Sequence, residues 1–500
     1  MRMSTLKWIA SKNLCYSFLC VFLMLSGCAV GPDYHKTSFS VPAVWGRKSA
    51  QISDHSVALA GWWRRFNDPV LNELIDDAIS GNNNVAVAKA RVREARASVG
   101  QVAGYLAPSV SGSISGNRFS EQPDVSLSQY RGGFDASWEL DIFGGHKRAV
   151  EAARYGLDSA VEDMRATMVT LLGDVATNYV EMRGWQQKLL IARRIVVSQR
   201  KTFELMRTKL AAGEASELDF SNAQAQMANT EADIFQMEAN LAMNIHRLSV
   251  LTGRVPMALE AFLQKSAKKE GSIPQPQWPI PAGIPADILL TRPDLRRAER
   301  QYAQATARIG QREADLYPSL TLTGRISTAA TQIGYLGKNS TIGWSFGPGL
   351  QFPFFDGGQR AASVEVARAQ RDQAFITYRA EVLGALEDVE NALVRLYKEH
   401  QRLEKLTVAN AAALRSLKLS QLLFESGNIS FFEFLDARRS YYSAQMALKN
   451  SCVSVAFQYI ALMKALGGGW DGVVDVSRPE IVDKVTGLHV RVNEGGKVQS

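Results

Sequence analysis

The sequence predicts a mainly α-helical chain that also carries membrane β-strands, built by duplication of a half-molecule. Three observations predict it: proline-free stretches too long for a compact domain, short segments of strict two-residue alternation, and motifs that recur at a nearly constant distance. There is no proline between Pro123 and Pro256, nor between Pro353 and Pro479. Proline costs about 3 kcal/mol inside a helix, so these gaps permit very long ones. Gly145 to Ala212 and Gly358 to Ser426 are rich in Ala, Leu, Arg, Glu and Gln, and each reaches about 100 Å at 1.5 Å per residue. Val161, Met164, Met168, Leu171 and Val175 recur at helical spacing among small residues. Such narrow apolar seams suit helices packed side by side, and an ordinary solvated coiled coil shares the pattern.

The strands show a period of two. Between Tyr130 and Leu140 the even positions read Tyr, Gly, Phe, Ala, Trp, Leu and the odd ones Arg, Gly, Asp, Ser, Glu. From Ile342 to Phe352 the even positions read Ile, Trp, Phe, Pro, Leu, Phe, against Gly, Ser, Gly, Gly, Gln at the odd ones. Leu320, Leu322 and Ile326 alternate with Thr321, Thr323 and Ser327, and the weakest strand lies near Val110 and Ile114. One apolar and one small or polar face fit a membrane barrel wall, although a half-buried sheet in water alternates in the same way. An open four-stranded sheet cannot sit in lipid, because its edges stay unsatisfied. If these strands span a membrane, several copies of the chain close one barrel together.

The duplication runs the length of the chain. Tyr105-Leu106-Ala107-Pro108-Ser109 corresponds to Leu316-Tyr317-Pro318-Ser319, and Phe143-Gly144-Gly145 to Asp356-Gly357-Gly358. Lys209 to Glu214 corresponds to Leu423 to Asn428, and Leu251-Thr252-Gly253 to Ala465-Leu466-Gly467. The spacing is too long for a solenoid repeat. Each half reads as a helix, two strands, a very long helix, a glycine turn and a second long helix. Asp68-Pro69 resembles a helix start, an acceptor ahead of a proline, and Pro293-Asp294 is expected to do the same for the second half. The expected organisation is a signal peptide over 1–27, an extended segment over 28–66, a first repeat over 67–255, a Pro-rich linker over 256–285, a second repeat over 286–467 and a tail over 468–500.

The N-terminus carries an address. Arg2, Lys7 and Lys12 precede an apolar run from Leu14 to Leu25, shorter than the roughly 20 residues a spanning helix needs. Leu25-Ser26-Gly27-Cys28 follows and resembles the lipobox of bacterial lipoproteins. That resemblance makes Cys28 the acylated mature N-terminus, and Ala29 in place of an aspartate leans towards the outer membrane. Cleavage after Gly27 removes three positive charges and no acids, taking the formal charge from +8 to +5. No basic stripe or nucleic-acid motif stands out, so no nucleic-acid partner is expected. Cys15 and Cys20 leave with the signal, Cys28 takes the lipid, and Cys452 remains alone without an intramolecular disulfide partner. The six histidines form no pair at helical ligand spacing, so no metal site and no cofactor is expected. No catalytic motif stands in a fitting context, and the chain is not expected to be an enzyme.

Several strings together resemble the TolC/OprM class of outer-membrane efflux proteins, and within it the NodT-type lipoproteins. They are Cys28 to Tyr34, Trp62-Trp63 with Phe66-Asn67-Asp68-Pro69, and Trp138 to Gly145. Arg292-Pro293-Asp294-Leu295 and Leu435 to Ser440 with Ala444-Gln445 complete the set. The resemblance covers residues 28–470. It implies a homotrimer whose twelve strands close one outer-membrane barrel and whose helices form a tunnel across the periplasm. It also implies partners: outer-membrane lipid, a periplasmic adaptor protein and, through that adaptor, an inner-membrane transporter that supplies the energy. The expected function is a passive exit duct for small molecules. A duct for a metal-efflux or secretion system is the nearer alternative, and a trimeric coiled-coil lipoprotein without a channel the more distant one.

The resemblance also implies a gate. The long hairpins turn at Gly213 and Gly427, which are expected at the periplasmic mouth and in contact with the adaptor. In the family, the aspartate of the matching Leu-Asp-Ala-Gln-Arg string lies near the tunnel axis; here the string is Leu435-Asp436-Ala437-Arg438-Arg439, with Arg438 in place of Gln. Phe432, one turn earlier, matches a position where the family often has leucine. Three copies of Phe432 and Asp436 about a threefold axis would make an apolar plug and a cation-sensitive ring. The bland alternative is a pairing of Asp436 with Arg439 along one helix.

Overall fold

A computed structural model describes residues 29–37, 59–122, 125–267, 272–277 and 291–470. The expected signal peptide, Cys28, part of the linker and nearly all of the tail lie outside the described residues. In chain order the helices are α1 (Pro69–Gly81), α2 (Asn83–Ala103), α3 (Gly145–Ala211), α4 (Glu217–Leu251), α5 (Glu260–Ala267), α6 (Pro293–Ala314), α7 (Gln359–Glu425) and α8 (Phe431–Ala465). The strands are β1 (Ser109–Gln122), β2 (Val125–Leu140), β3 (Ser319–Ala330) and β4 (Ile342–Gln351). The mainly helical fold with four membrane-type strands and an internal duplication matches the expectation. α3 and α7 are both 67 residues long, and α4 and α8 both 35.

The described residues form two compact units. The first comprises 29–37, 91–122, 125–161 and 296–380 and holds the sheet; the second comprises 59–90, 162–267, 272–277, 291–295 and 381–470 and holds most of the long hairpins. Each unit draws on both sequence repeats. In the first, the four strands form one antiparallel sheet in the order β1-β2-β3-β4, with Gly112 opposite Phe134, Phe134 opposite Ile326, and Ile326 opposite Trp344.

In the second unit the helix ends are set by local chemistry. Asp68 caps α1: its carboxylate accepts from the Val70 and Leu71 amides at 3.0 and 3.3 Å, with Pro69 at the first helical position. Leu71, Leu74, Ile75 and Ala78 then line the buried face at helical spacing. The second half begins differently. Asp294 follows its proline instead of preceding it, so it sits inside α6, accepts from the Leu295 amide and grips Arg292 at 2.7 Å. Burial alone would raise the Asp294 carboxyl, but Arg292 holds it below its ordinary value. Arg292 in turn donates to the Ala465 carbonyl at 2.7 Å, satisfying an orphan acceptor at the end of α8. Trp62, Phe66 and Tyr459 meet edge to face, with Tyr459 5.4 Å from Phe66 and 6.1 Å from Trp62, and anchor the core. α4 and α8 end alike, with Gly253 and Gly467 at positive φ closing the last turn by the same pair of backbone hydrogen bonds.

Candidate functional site

The sheet register settles which residues share a face. Val110 and Ile114 lie on the same side as Phe134 and Trp138, Leu322 and Ile326, and Trp344 and Phe346. Within one chain this apolar side is bare: Ile114 is 89% exposed and Trp344 80%. The opposite side carries Ser111, Ser113 and Ser115, Asp135, Thr321, Thr323, Arg325 and Ser345. There Arg325 pairs with Asp135 directly across the β2–β3 ladder at 3.0 Å. β1 and β4 are the outer strands, so each has one edge without a partner among the described residues. Phe354 and Phe355, just beyond β4, are 94% and 89% exposed and extend the apolar surface past the strand end.

The motif after Cys28 becomes a strap in the first unit. The Val30 amide donates to the Phe143 carbonyl at 3.1 Å. Arg148, buried on α3, donates to the Val30 and Gly31 carbonyls at 3.1 Å and to Asp33 at 2.7 Å. Gly31 crosses Gly310 so closely that a Cβ on it would fall 2.2 Å from the Gly310 Cα, and its φ is 91°. Both counts reserve the position for glycine. The Tyr34 hydroxyl donates to Glu299 at 2.8 Å, and its ring meets Tyr155 and Tyr302 edge to face. Burial and then Glu299 push the Tyr34 phenol above its ordinary value, so it remains a donor.

At the far ends of the hairpins, Gly213 and Gly427 take φ of 78° and 75°. The following amides return to α3 and α7 in the same pattern: Gly213 to Leu210 and Glu214 to Lys209, Gly427 to Phe424 and Asn428 to Leu423. Each next helix opens with a capping box, Ser216 with Asp219 and Ser430 with Glu433. The strings Ser-Glu-Leu-Asp and Ser-Phe-Phe-Glu carry that signal, and the sequence reading passed over it.

On α8 the two residues expected at a gate, Phe432 and Asp436, part from their neighbours. Phe431, Phe434 and Leu435 pack with Met206 and Ala223, while Phe432 is 64% exposed and Asp436, one turn on, is exposed with it. The alternative pairing of Asp436 with Arg439 is not made: Arg439 donates to Gln226 at 2.8 Å. Arg438 turns to α3, donating to Thr202 at 2.9 Å and to Ser198, with its guanidinium 5.3 Å from the Phe434 ring centroid. Partners more than 230 residues away left no signal for this in the sequence. Among the described residues no group of three His, Cys, Asp or Glu side chains is placed to hold a metal ion. No described helix is long and apolar enough to cross a membrane.

The family model described as outer membrane efflux protein matches residues 74–254 and 284–468. The chain is 33% identical to nodulation protein T of Rhizobium leguminosarum bv. trifolii, over 90% of this chain and 96% of that one. It is 28% identical to the cation efflux system protein CusC of an Escherichia coli O6:H1 strain, over 90% and 98%. Among solved structures, the outer-membrane channel OprN superposes with a TM-score of 0.79 at 31% identity, covering 89% of this chain and all of that one.

Proposed function

The chain belongs to the outer membrane efflux protein family, and from that premise we propose that it is the exit duct of a tripartite pump. It is an outer-membrane channel protein and not an enzyme. The observation that carries the proposal is the open sheet, apolar and bare on one side, polar on the other, with two unpartnered edges. Lipid tolerates no such edge, so three copies join β4 of one to β1 of the next and close a barrel of twelve strands. The apolar side then meets lipid and the serine-, threonine- and Arg325-bearing side lines the channel. The long hairpins of three chains enclose a periplasmic tunnel that an adaptor joins to an inner-membrane transporter. The two relatives are named for nodulation and for cation efflux. That contrast supports a duct whose cargo is chosen by the transporter.

The purified full chain in a planar bilayer is expected to give discrete channels, with a trimer mass by light scattering in mild detergent. Absence of conductance from a folded trimer would favour the non-channel structural lipoprotein instead. Cys28 carries the lipid in this reading, and Cys28→Ser is expected to abolish incorporation of a labelled fatty acid; label retained on the variant refutes it. The tips at Gly213 and Gly427 meet the adaptor. Tryptophan at their exposed neighbours Glu214 and Asn428 is expected to leave conductance alone and stop export from cells, and unchanged export would remove the tips from that contact. Phe432 and Asp436 form the gate, three copies of each converging on the tunnel axis.

A further inference from the structure

In the second unit, α3, α4, α7 and α8 wall a cavity of about 290 Å³. Its lining divides in two. Ile191, Ile195, Leu417 and Leu435 supply an apolar side, while Arg194, Arg438 and Arg439 supply three guanidinium groups. No carboxylate lines it. On the neighbouring surface of α4, Glu238 pairs with Arg193 and Glu231 with Arg200, while Asp233 lies close enough to act on Tyr442. Arg438 is the most telling of the three. Its contacts are two hydroxyls, which supply acceptors but no charge, and the face of Phe434 at 5.3 Å. Burial pushes its pKa down with no acid offsetting it, and a buried cation without a counter-ion is strongly disfavoured. Tyr442 adds a donor: burial and then Asp233 push its phenol up, so it stays protonated.

We infer that this cavity is a binding site for a small organic carboxylate. The carboxylate meets the planar fork of Arg438, a geometry guanidinium serves better than ammonium, and the apolar body lies against Ile191, Ile195 and Leu417. Such a ligand bridges α3 and α8 and so ties the first hairpin to the second.

The test is thermal unfolding of the full chain in mild detergent, with ionic strength held by chloride and with benzoate or its neutral analogue benzyl alcohol added. Benzoate is expected to raise the melting temperature saturably, and benzyl alcohol to leave it unchanged. Sulfate is expected to give a smaller shift, and an equal one would overturn the organic part of the assignment. Arg438→Gln is expected to raise the half-saturating benzoate concentration at least tenfold. Arg194→Gln, at an exposed position, is expected to raise it several-fold and keeps the test decisive if the first variant does not fold. A shift that never saturates, that benzyl alcohol reproduces, or that persists unaltered in Arg194→Gln overturns the site.

Discussion

The two hairpin tips share a backbone and differ in side chains. Moving back 214 residues from α8 to α4 carries Ser430 onto Ser216, Glu433 onto Asp219 and Phe434 onto Phe220. The exposed Phe432 falls on Leu218, itself 70% exposed. Past that point the correspondence ends: Asp436 falls on Asn222, Arg438 on Gln224 and Arg439 on Ala225. The hairpins are also tied differently. Across α3 and α4 run two ion pairs, Arg193 with Glu238 and Arg200 with Glu231, each near 2.8 Å. The matching positions on α7 and α8 are Thr407 with Cys452 and Leu414 with Gln445. Duplication has thus kept the devices that bend the chain, and charge has moved: ion pairs tie the first hairpin together, and the second carries Asp436, Arg438 and Arg439 where the first has neutral residues.

The largest separation between the hairpins is expected in conductance. Phe432→Ala with Asp436→Ala should raise single-trimer conductance several-fold and relieve block by divalent cations, while Leu218→Ala with Asn222→Ala should change neither appreciably. Equal effects from the two pairs would dissolve the assignment of the gate to the second hairpin. The caps should behave as equals. Ser216→Ala and Ser430→Ala each remove a hydrogen bond worth about 1 kcal/mol, so tip amides should exchange with solvent roughly fivefold faster in either variant. A difference of an order of magnitude would mean that the tips are not equivalent. The smallest effect belongs to the exposed ion pairs: a double-mutant cycle on Arg193 and Glu238 should return a coupling of about 0.5 kcal/mol or less, weakened by salt.

Much of this arrangement was legible in the sequence because its causes are local. The long helices were bounded to within a residue or two by glycine at one end and by glycine or serine at the other, and by the lack of proline between. Strand faces were legible in β2 and β4, where aromatic residues alternate with Gly, Ser and Asp. β1 was faint because serine and glycine fill half of it, so only Val110 and Ile114 marked the apolar side. Asp68 was read correctly as a cap from its place before Pro69, and Pro293-Asp294 as the start of the second-half helix with Asp294 in its first turn; the grip of Asp294 on Arg292 was not foreseen. What stayed hidden were the long arginines. Arg148, Arg292 and Arg438 each reach partners more than a hundred residues away, and a flexible side chain carries no periodicity that announces where its fork will land.

The unpartnered edges of β1 and β4 bear on how the protein reaches its place. A chain whose sheet is complete can enter lipid alone, at a rate proportional to its own abundance. Here the insertable object does not exist until copies have met, so on the trimeric reading the molecularity of insertion exceeds one and its yield rises steeply with the local supply of protomers. Until then each chain travels with an adhesive strand at either side and a bare apolar sheet, the surface that promotes misassembly. Chaperoning of the solitary chain and crowding at the membrane face become part of the folding reaction, and a shortage of protomers would appear as aggregated protein before it appeared as slow assembly.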